Sequence, residues 1–205
     1  MQISSHSFNQ AVDQLSSLPG IGRKTALRLV LHLLNKSTED VKDFGNAFVQ
    51  LAEEINYCNS CYNISEHQIC SICSNVNRNN QLICVVENVL DVIAIENTNQ
   101  FKGKYHVLGG IISPMEGIGP NDIKVTELIE RVKNDGITEL IMALSTTMEG
   151  DATNFYIYKK LKDFDVKVTT IARGIGIGDE LEYTDELTLG RSILNRIPFE
   201  NTLSL

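Results

Sequence analysis

Leu82-Ile83-Cys84-Val85-Val86, followed by Glu87 and Asn88, is a run of five apolar residues closed by an acid and an amide. A short apolar run with no polar alternation predicts a strand buried on both faces, as parallel sheets require. Working outward, Val89 to Ile95 predicts a helix and Tyr105-His106-Val107-Leu108 a second strand, with a Gly- and Pro-bearing loop from Gly109 to Asp122 after it. A helix carrying Val125, Leu128, Ile129 and Val132 comes next, then a strand Leu140–Leu144, a helix Ala152–Leu161 and a strand Val166–Ile171. This βαβ alternation predicts an α/β domain over residues 79–174, a mostly parallel sheet with right-handed crossovers and helices on both faces. Its functional groups belong at the carboxyl ends of the strands.

The segment 57–78, just before that first strand, has no periodicity and few large apolar residues. It carries Cys58-Asn59-Ser60-Cys61 and Cys70-Ser71-Ile72-Cys73, two C-x-x-C pairs eight residues apart. Each pair can turn two thiolates toward one ion, and two turns complete a tetrahedral sulfur site. A segment too short to build a core needs the metal as its source of order. The reading is one structural Zn2+ per chain on Cys58, Cys61, Cys70 and Cys73, with no position left open for substrate. Two disulfides or a redox pair are the alternatives, and the double pairing in a chain expected in the reducing cytoplasm disfavours both. His67 reads as a solvated loop residue and Cys84 as an inert core thiol.

Upstream, Phe8, Val12 and Leu15 recur at helical spacing, and a second helix is predicted from about Thr25 to Leu34. Between them lies Leu18-Pro19-Gly20-Ile21-Gly22-Arg23-Lys24, a tight glycine-rich hairpin. Gly20 and Gly22 let a ligand approach the backbone, and the next helix offers unpaired N–H groups to a phosphate beside Arg23, Lys24 and Arg28. The stretch resembles a helix-hairpin-helix, a sequence-independent binder of the DNA backbone. A turn that needs glycine for packing alone is the competing reading. Ser37 with Asp40 predicts a capping box opening a third helix, whose core face would be Val41, Phe44, Phe48, Leu51 and Ile55.

Charge singles out the same hairpin. The 205-residue chain has a formal net charge of −8, yet residues 14–36 contain Arg23, Lys24, Arg28 and Lys36 and no acid. An acidic protein meets a polyanion only through such a segment. With 42% apolar residues the chain can bury a core. No apolar run approaches the ~18 residues of a membrane span. The start, Met1-Gln2-Ile3-Ser4-Ser5-His6, has neither the basic patch nor the apolar stretch of a secretory signal, so the expected location is cytoplasmic.

Two further patterns bear on chemistry. Glu87 ends the first strand, and Ser145-Thr146-Thr147-Met148-Glu149-Gly150-Asp151 follows the third. This resembles the Toprim domain of topoisomerases and primases, which pairs a strand-end glutamate with a later Asp-x-Asp and Glu-Gly-Asp. Here the two metal-holding aspartates fall on Ser145 and Thr147, and hydroxyls do not replace carboxylates on magnesium. Without the metal, Glu87 and Asp151 read as weak ligands, partner-binding acids or a structural pair, and the set Glu87, Glu149 and Asp151 is expected to serve in docking a partner. Gly174-Ile175-Gly176-Ile177-Gly178 lacks dinucleotide-loop spacing and leads into Asp179, Glu180 and Glu182, so it reads as a structural loop. A tail over 175–205, with a helix near Thr184 to Asn195, is left for oligomerisation.

The order of these parts resembles the RecR family of bacterial recombination mediators over essentially the whole chain: 1–56 helix-hairpin-helix, 57–78 four-cysteine zinc module, 79–174 Toprim domain, 175–205 tail. Ile83-Cys84-Val85-Val86-Glu87, Gly117-Ile118-Gly119-Pro120, Glu149-Gly150-Asp151-Ala152-Thr153 and Ile171-Ala172-Arg173-Gly174 carry the likeness. It implies a non-enzymatic DNA-repair factor that works with RecO, and with RecF where present, to help load RecA at single-stranded gaps. It also implies a homo-oligomeric ring, dimer or tetramer, around gapped DNA or single/double-strand junctions. The chain departs from the family at Leu144-Ser145-Thr146-Thr147, where many relatives have an Asn-Pro pair, and in a tail running through Pro198 to Leu205. The rival readings are a Toprim-type metal-dependent nuclease or primase-like enzyme, and a zinc-dependent adaptor without DNA binding.

Overall fold

The computed structural model describes residues 5–202, and the last three residues of the predicted tail lie outside them. The chain divides after Asn56 into two compact units.

The first unit is helical. Helix α1 (His6–Ser16) is capped by Ser5, and α2 (Arg23–Leu34) begins at Arg23, two residues earlier than the apolar spacing predicts, because Gly22 is its extended N-cap. Val12, Ala26 and Val30 are buried between the two helices, with Phe8, Leu15 and Ile21 packed on them. Helix α3 (Thr38–Glu54) opens on the predicted capping box, Ser37 and Asp40 each accepting the other's backbone N–H. Its stripe does not form the predicted core face. No residue of α3 is buried, and Phe44, Phe48 and Leu51 are all exposed. Periodicity identifies which face is apolar; it does not say what covers it.

The second unit opens with a two-stranded ladder, β1 (Asn56–Tyr57) with β2 (Ile64–Ser65), and a single helical turn α4 (Ser71–Ser74). A four-stranded, fully parallel sheet follows, in the order β4-β3-β5-β6. Its strands are β3 (Leu82–Val86), β4 (Lys104–Val107), β5 (Glu139–Ala143) and β6 (Lys167–Thr170). Helices α5 (Val89–Asn97), α6 (Val125–Asn134) and α7 (Met148–Leu161) cover it, and α8 (Glu186–Leu194) lies in the tail. Central β3 explains its own composition. Ile83 and Val85 join one core with Leu128, Leu140 and Ile157, while Cys84 and Val86 join another with Val92 and Tyr105. Successive residues point to opposite faces, and both faces are dry.

Helix α7 starts four residues before Ala152. The Thr147 hydroxyl accepts the Gly150 N–H at 3.1 Å as an N-cap. Gly150 permits the turn, because a Cβ there would overlap the Ser145 carbonyl oxygen. The long loop is tied to the same helix by the Ile112 N–H, which donates to Thr153 Oγ1 at 2.9 Å. Among the described residues no helix is long and apolar enough to cross a membrane.

Candidate nucleic-acid interface and metal centre

The hairpin is built so that an anion can reach its backbone. Gly20 has φ +79°, a left-handed conformation that favours glycine, and the Ile21 N–H returns to the Leu18 carbonyl at 3.1 Å. Gly22 differs: its φ is −75°, which any residue adopts, and a Cβ there would meet nothing within 4 Å. Among the described residues no contact calls for glycine at 22, and its local role is that of an N-cap. Helix α2 has no side-chain cap and no acid in its first turn, so the positive end of its dipole is not offset there by a side chain of its own. Arg23 is committed in part to Asp13, at 2.5 Å, both side chains being more than half exposed. Lys24 and Arg28 stand exposed on the same helix.

The four cysteines converge. The Sγ atoms of Cys58, Cys61, Cys70 and Cys73 all lie within 4.8 Å of one another, and all four residues are buried. A tetrahedron with Zn–S bonds near 2.3 Å has edges of about 3.8 Å; Cys61 and Cys70 stand at 3.5 Å. Backbone N–H groups point at the sulfurs, Cys70 N–H to Cys58 Sγ at 3.3 Å and Cys73 N–H to Cys70 Sγ at 3.4 Å. Hydrogen bonds from the Cys61 and Cys73 thiols, helped by the Cys73 N–H, hold Cys70 well below the ordinary thiol range, while Cys61 is pushed up by its role as their donor. This donor set suits a soft or borderline cation bound by thiolates. Cys84 stands apart, its thiol pushed up to about 12 by burial.

The Toprim acids are placed but not assembled. Among the described residues no other group of three His, Cys, Asp or Glu side chains is placed to hold a metal ion. Glu87 is half-buried at the end of β3, its carboxyl pushed up by burial and by Asp91 and eased down by a hydrogen bond to Ser145. Ser145 Oγ and Thr147 Oγ1 are 3.2 Å apart, bonded to each other where the sequence lacks aspartates. Asp151 pairs with Arg173 at 2.8 Å, which holds its carboxyl below the usual range. Sequence reasoning did not foresee Arg173, because the pair joins α7 to the loop after β6.

It also passed over His106. The ring is fully buried, with Nε2 2.7 Å from the Lys124 carbonyl oxygen and Nδ1 without a partner. Burial pushes its pKa down to about 4, so the ring is neutral. A lone histidine in an apolar strand carries no spacing that would announce this.

Together these features define a Toprim-domain protein with an N-terminal helical hairpin and a four-cysteine module. Comparison with protein families gives the same parts in the same order: "RecR, helix-hairpin-helix" over residues 8–52, "Toprim domain" over 81–172 and "RecR, C-terminal" over 174–197. The chain is 57% identical over 196 residues to the recombination protein RecR of Bacteroides thetaiotaomicron, covering 96% of each chain. It is 55% identical over 202 residues to that of Flavobacterium johnsoniae, covering 98% of each, and 58% identical over 195 to that of Phocaeicola vulgatus, covering 95% of each. The chain belongs to the RecR family.

Proposed function

We propose that this protein is a non-enzymatic, DNA-binding mediator of recombinational repair that acts with RecO, and with RecF where present, to help load RecA at single-stranded gaps. Gly22 carries the reading. A glycine with an ordinary φ and empty space around its missing Cβ, at the uncapped start of the one basic helix, fits close approach by something outside the chain. A DNA phosphate is the ligand that Gly20, Gly22, Arg23, Lys24 and Arg28 would suit, by backbone N–H and charge and without base readout. Zinc is the metal we assign to the four cysteines, one per chain and structural, because four thiolates fill a tetrahedron.

Segments 1–56, 57–78, 79–174 and 175–205 then serve as DNA-contacting, metal-stabilised, partner-docking and oligomerising parts. The Toprim part is assigned no catalysis, since Ser145 and Thr147 bond to each other where metal carboxylates would stand. Glu87 and Glu149 are offered to RecO with Asp151, whose charge Arg173 partly offsets. Ring assembly, dimeric or tetrameric and cytoplasmic, is supported by large apolar side chains left exposed on two elements: Phe44, Phe48 and Leu51 on α3, and Leu187 and Leu194 on α8.

One experiment tests the reading: purified protein with gapped DNA and magnesium, scored together for binding, cleavage and nucleotide incorporation. Binding that is abolished by Arg23→Ala plus Lys24→Ala, with no cleavage or incorporation, is expected. Magnesium-dependent cleavage lost in Glu87→Ala would establish the enzymatic alternative instead.

A further inference from the structure

A cavity of about 530 Å³ opens beside the metal module and the carboxyl ends of β3 and β4, and the hairpin reading leaves it unused. Tyr57, Tyr62 and Lys124 line it, together with Asn59, Asn88 and the main chain at Gly109. That volume is within the range that holds a small ligand. Its two aromatic rings come from a stretch of chain whose geometry the metal knuckle sets. Tyr62 closes the Cys58 turn with its N–H on the Cys58 carbonyl at 2.9 Å, and does so at φ +62°, a left-handed conformation costly for a tyrosine. The ring is then fixed edge-on against the neutral His106 at 5.5 Å, with Lys124 Nζ 5.3 Å from its centroid. Tyr57 is 68% exposed and makes no ring contact among the described residues. A large exposed aromatic and a rigid one lining the same concave site make a stacking platform.

We propose that the cavity lined by Tyr57, Tyr62 and Lys124 receives one unpaired nucleotide of a DNA single strand. Every base has a π-face for tyrosine to stack on, whatever its sequence. The base edge meets amides: Asn88 uses its Oδ1 to cap Leu90 and Asp91 and keeps its Nδ2 hydrogens as donors, and Asn59 offers both. Lys124 supplies the cation for a flanking phosphate, moving off Glu127 at 3.1 Å and off the face of the Tyr62 ring that the base would take. The carboxylate nearby, Asp122, is engaged by the Gly119 N–H at 2.7 Å. An added peptide strand fits less well, because the Val107 N–H on the open edge of β4 is already spent on the Cys61 carbonyl. A base paired in a duplex is stacked on its neighbours and stays out, so the site distinguishes unpaired from paired DNA.

The inference rests on the reading that the chain binds DNA, and its test separates the two. Full-length Tyr57→Ala protein is titrated by fluorescence anisotropy with a gapped duplex and with a fully paired duplex of the same length. Affinity for the gap should fall by about 5- to 100-fold, the worth of one stacked base, with paired duplex unchanged and Tyr57→Phe like the parent. A gap oligonucleotide carrying 5-iodouracil should photo-crosslink to the peptide holding Tyr57 or Tyr62. Unchanged gap affinity, an equal loss on both DNAs, or crosslinks confined to the hairpin would overturn the proposal. If Tyr57→Ala loses metal, the crosslink on the parent protein decides. Arg23→Ala plus Lys24→Ala is the separate arm: if it weakens paired duplex while Tyr57→Ala changes nothing, the hairpin reading stands and this one falls. The reverse pattern keeps the stacking site and removes the hairpin.

Discussion

The backbone N–H of Val107 donates to the carbonyl oxygen of Cys61 at 2.8 Å. A residue of the metal knuckle is thereby bonded to the last residue of edge strand β4, and the sheet's open edge is partly closed by the module. Metal occupancy of the module is expected to be coupled to sheet order through that bond. Stripping the metal with a chelator should therefore do more than unfold residues 57–78. In hydrogen exchange the Val107 amide is expected to lose protection together with the module, while Val85 and Leu140 keep theirs. Cys61→Ser should reproduce the effect. Unchanged exchange at Val107 in metal-free protein would show that the two parts are independent.

The two hairpin glycines should separate stability from binding. Gly20→Ala forces a left-handed alanine and is expected to lower stability by about 1 kcal/mol in thermal melts. Gly22→Ala meets no atom of the described residues within 4 Å, so its cost is confined to putting alanine, a poor N-cap residue, where glycine is tolerated, about 0.5 kcal/mol. Its DNA affinity should nonetheless fall sharply, since the added methyl stands where the phosphate approaches. Normal binding by Gly22→Ala would return that glycine to a packing role.

Two glutamates should respond oppositely to pH. Glu87 has its pKa raised by burial and Asp91, so its ionised form costs stability at neutral pH, and the cost disappears as pH falls through its folded pKa. Glu87→Gln is thus expected to melt higher than the parent at pH 7 and no higher at acid pH. Glu96 is held low: burial raises it, but Arg78, with which it forms an ion pair, and the Tyr105 hydroxyl at 2.7 Å outweigh that. Its stabilisation is present above the ordinary carboxylate range and lost as pH drops through its folded pKa. Glu96→Gln should cost about 1 to 2 kcal/mol at pH 7, for a charge-assisted bond to a partly buried arginine, and the deficit should shrink in acid. A stable residue held unfavourably, as Glu87 is, fits a functional position more than a structural one.

How much of this could be read beforehand differs by the kind of interaction. The unbroken run Leu82–Val86 announced a doubly buried strand because composition is direct testimony to burial on both faces. The four cysteines announced their convergence through spacing alone. Interactions between distant stretches left no such trace: Asp151 reaching Arg173, His106 under Lys124, and Tyr57 and Tyr62 sharing one cavity depend on how loops return to the sheet. In the sequence Thr147 shows only as a missing aspartate, although its hydroxyl caps α7 and sets where that helix begins. For α3, the stripe Val41, Phe44, Phe48, Leu51, Ile55 is legible and its burial is not, since periodicity marks an apolar face without saying what covers it.

That uncovered stripe bears on how an acidic protein holds DNA at all. On the proposed reading one hairpin would supply roughly two or three phosphate contacts, and log affinity falls by roughly 0.9 per neutralised phosphate for each decade of salt. A lone copy therefore binds weakly at physiological ionic strength. Several hairpins on one closed assembly act at high effective concentration, and a ring also retains DNA topologically. Phe44→Asp plus Phe48→Asp places two charges on the exposed ring pair, 5.0 Å apart, without touching the buried Val12, Ala26 and Val30. The variant is expected to keep its helix content and metal, to sediment as a smaller species, and to bind gapped DNA far more weakly, with a shallower salt slope. The measurement is sedimentation velocity beside anisotropy over a salt series. A smaller species that bound DNA as tightly as the parent would mean that one hairpin suffices, and the ring would then have to serve something other than holding DNA.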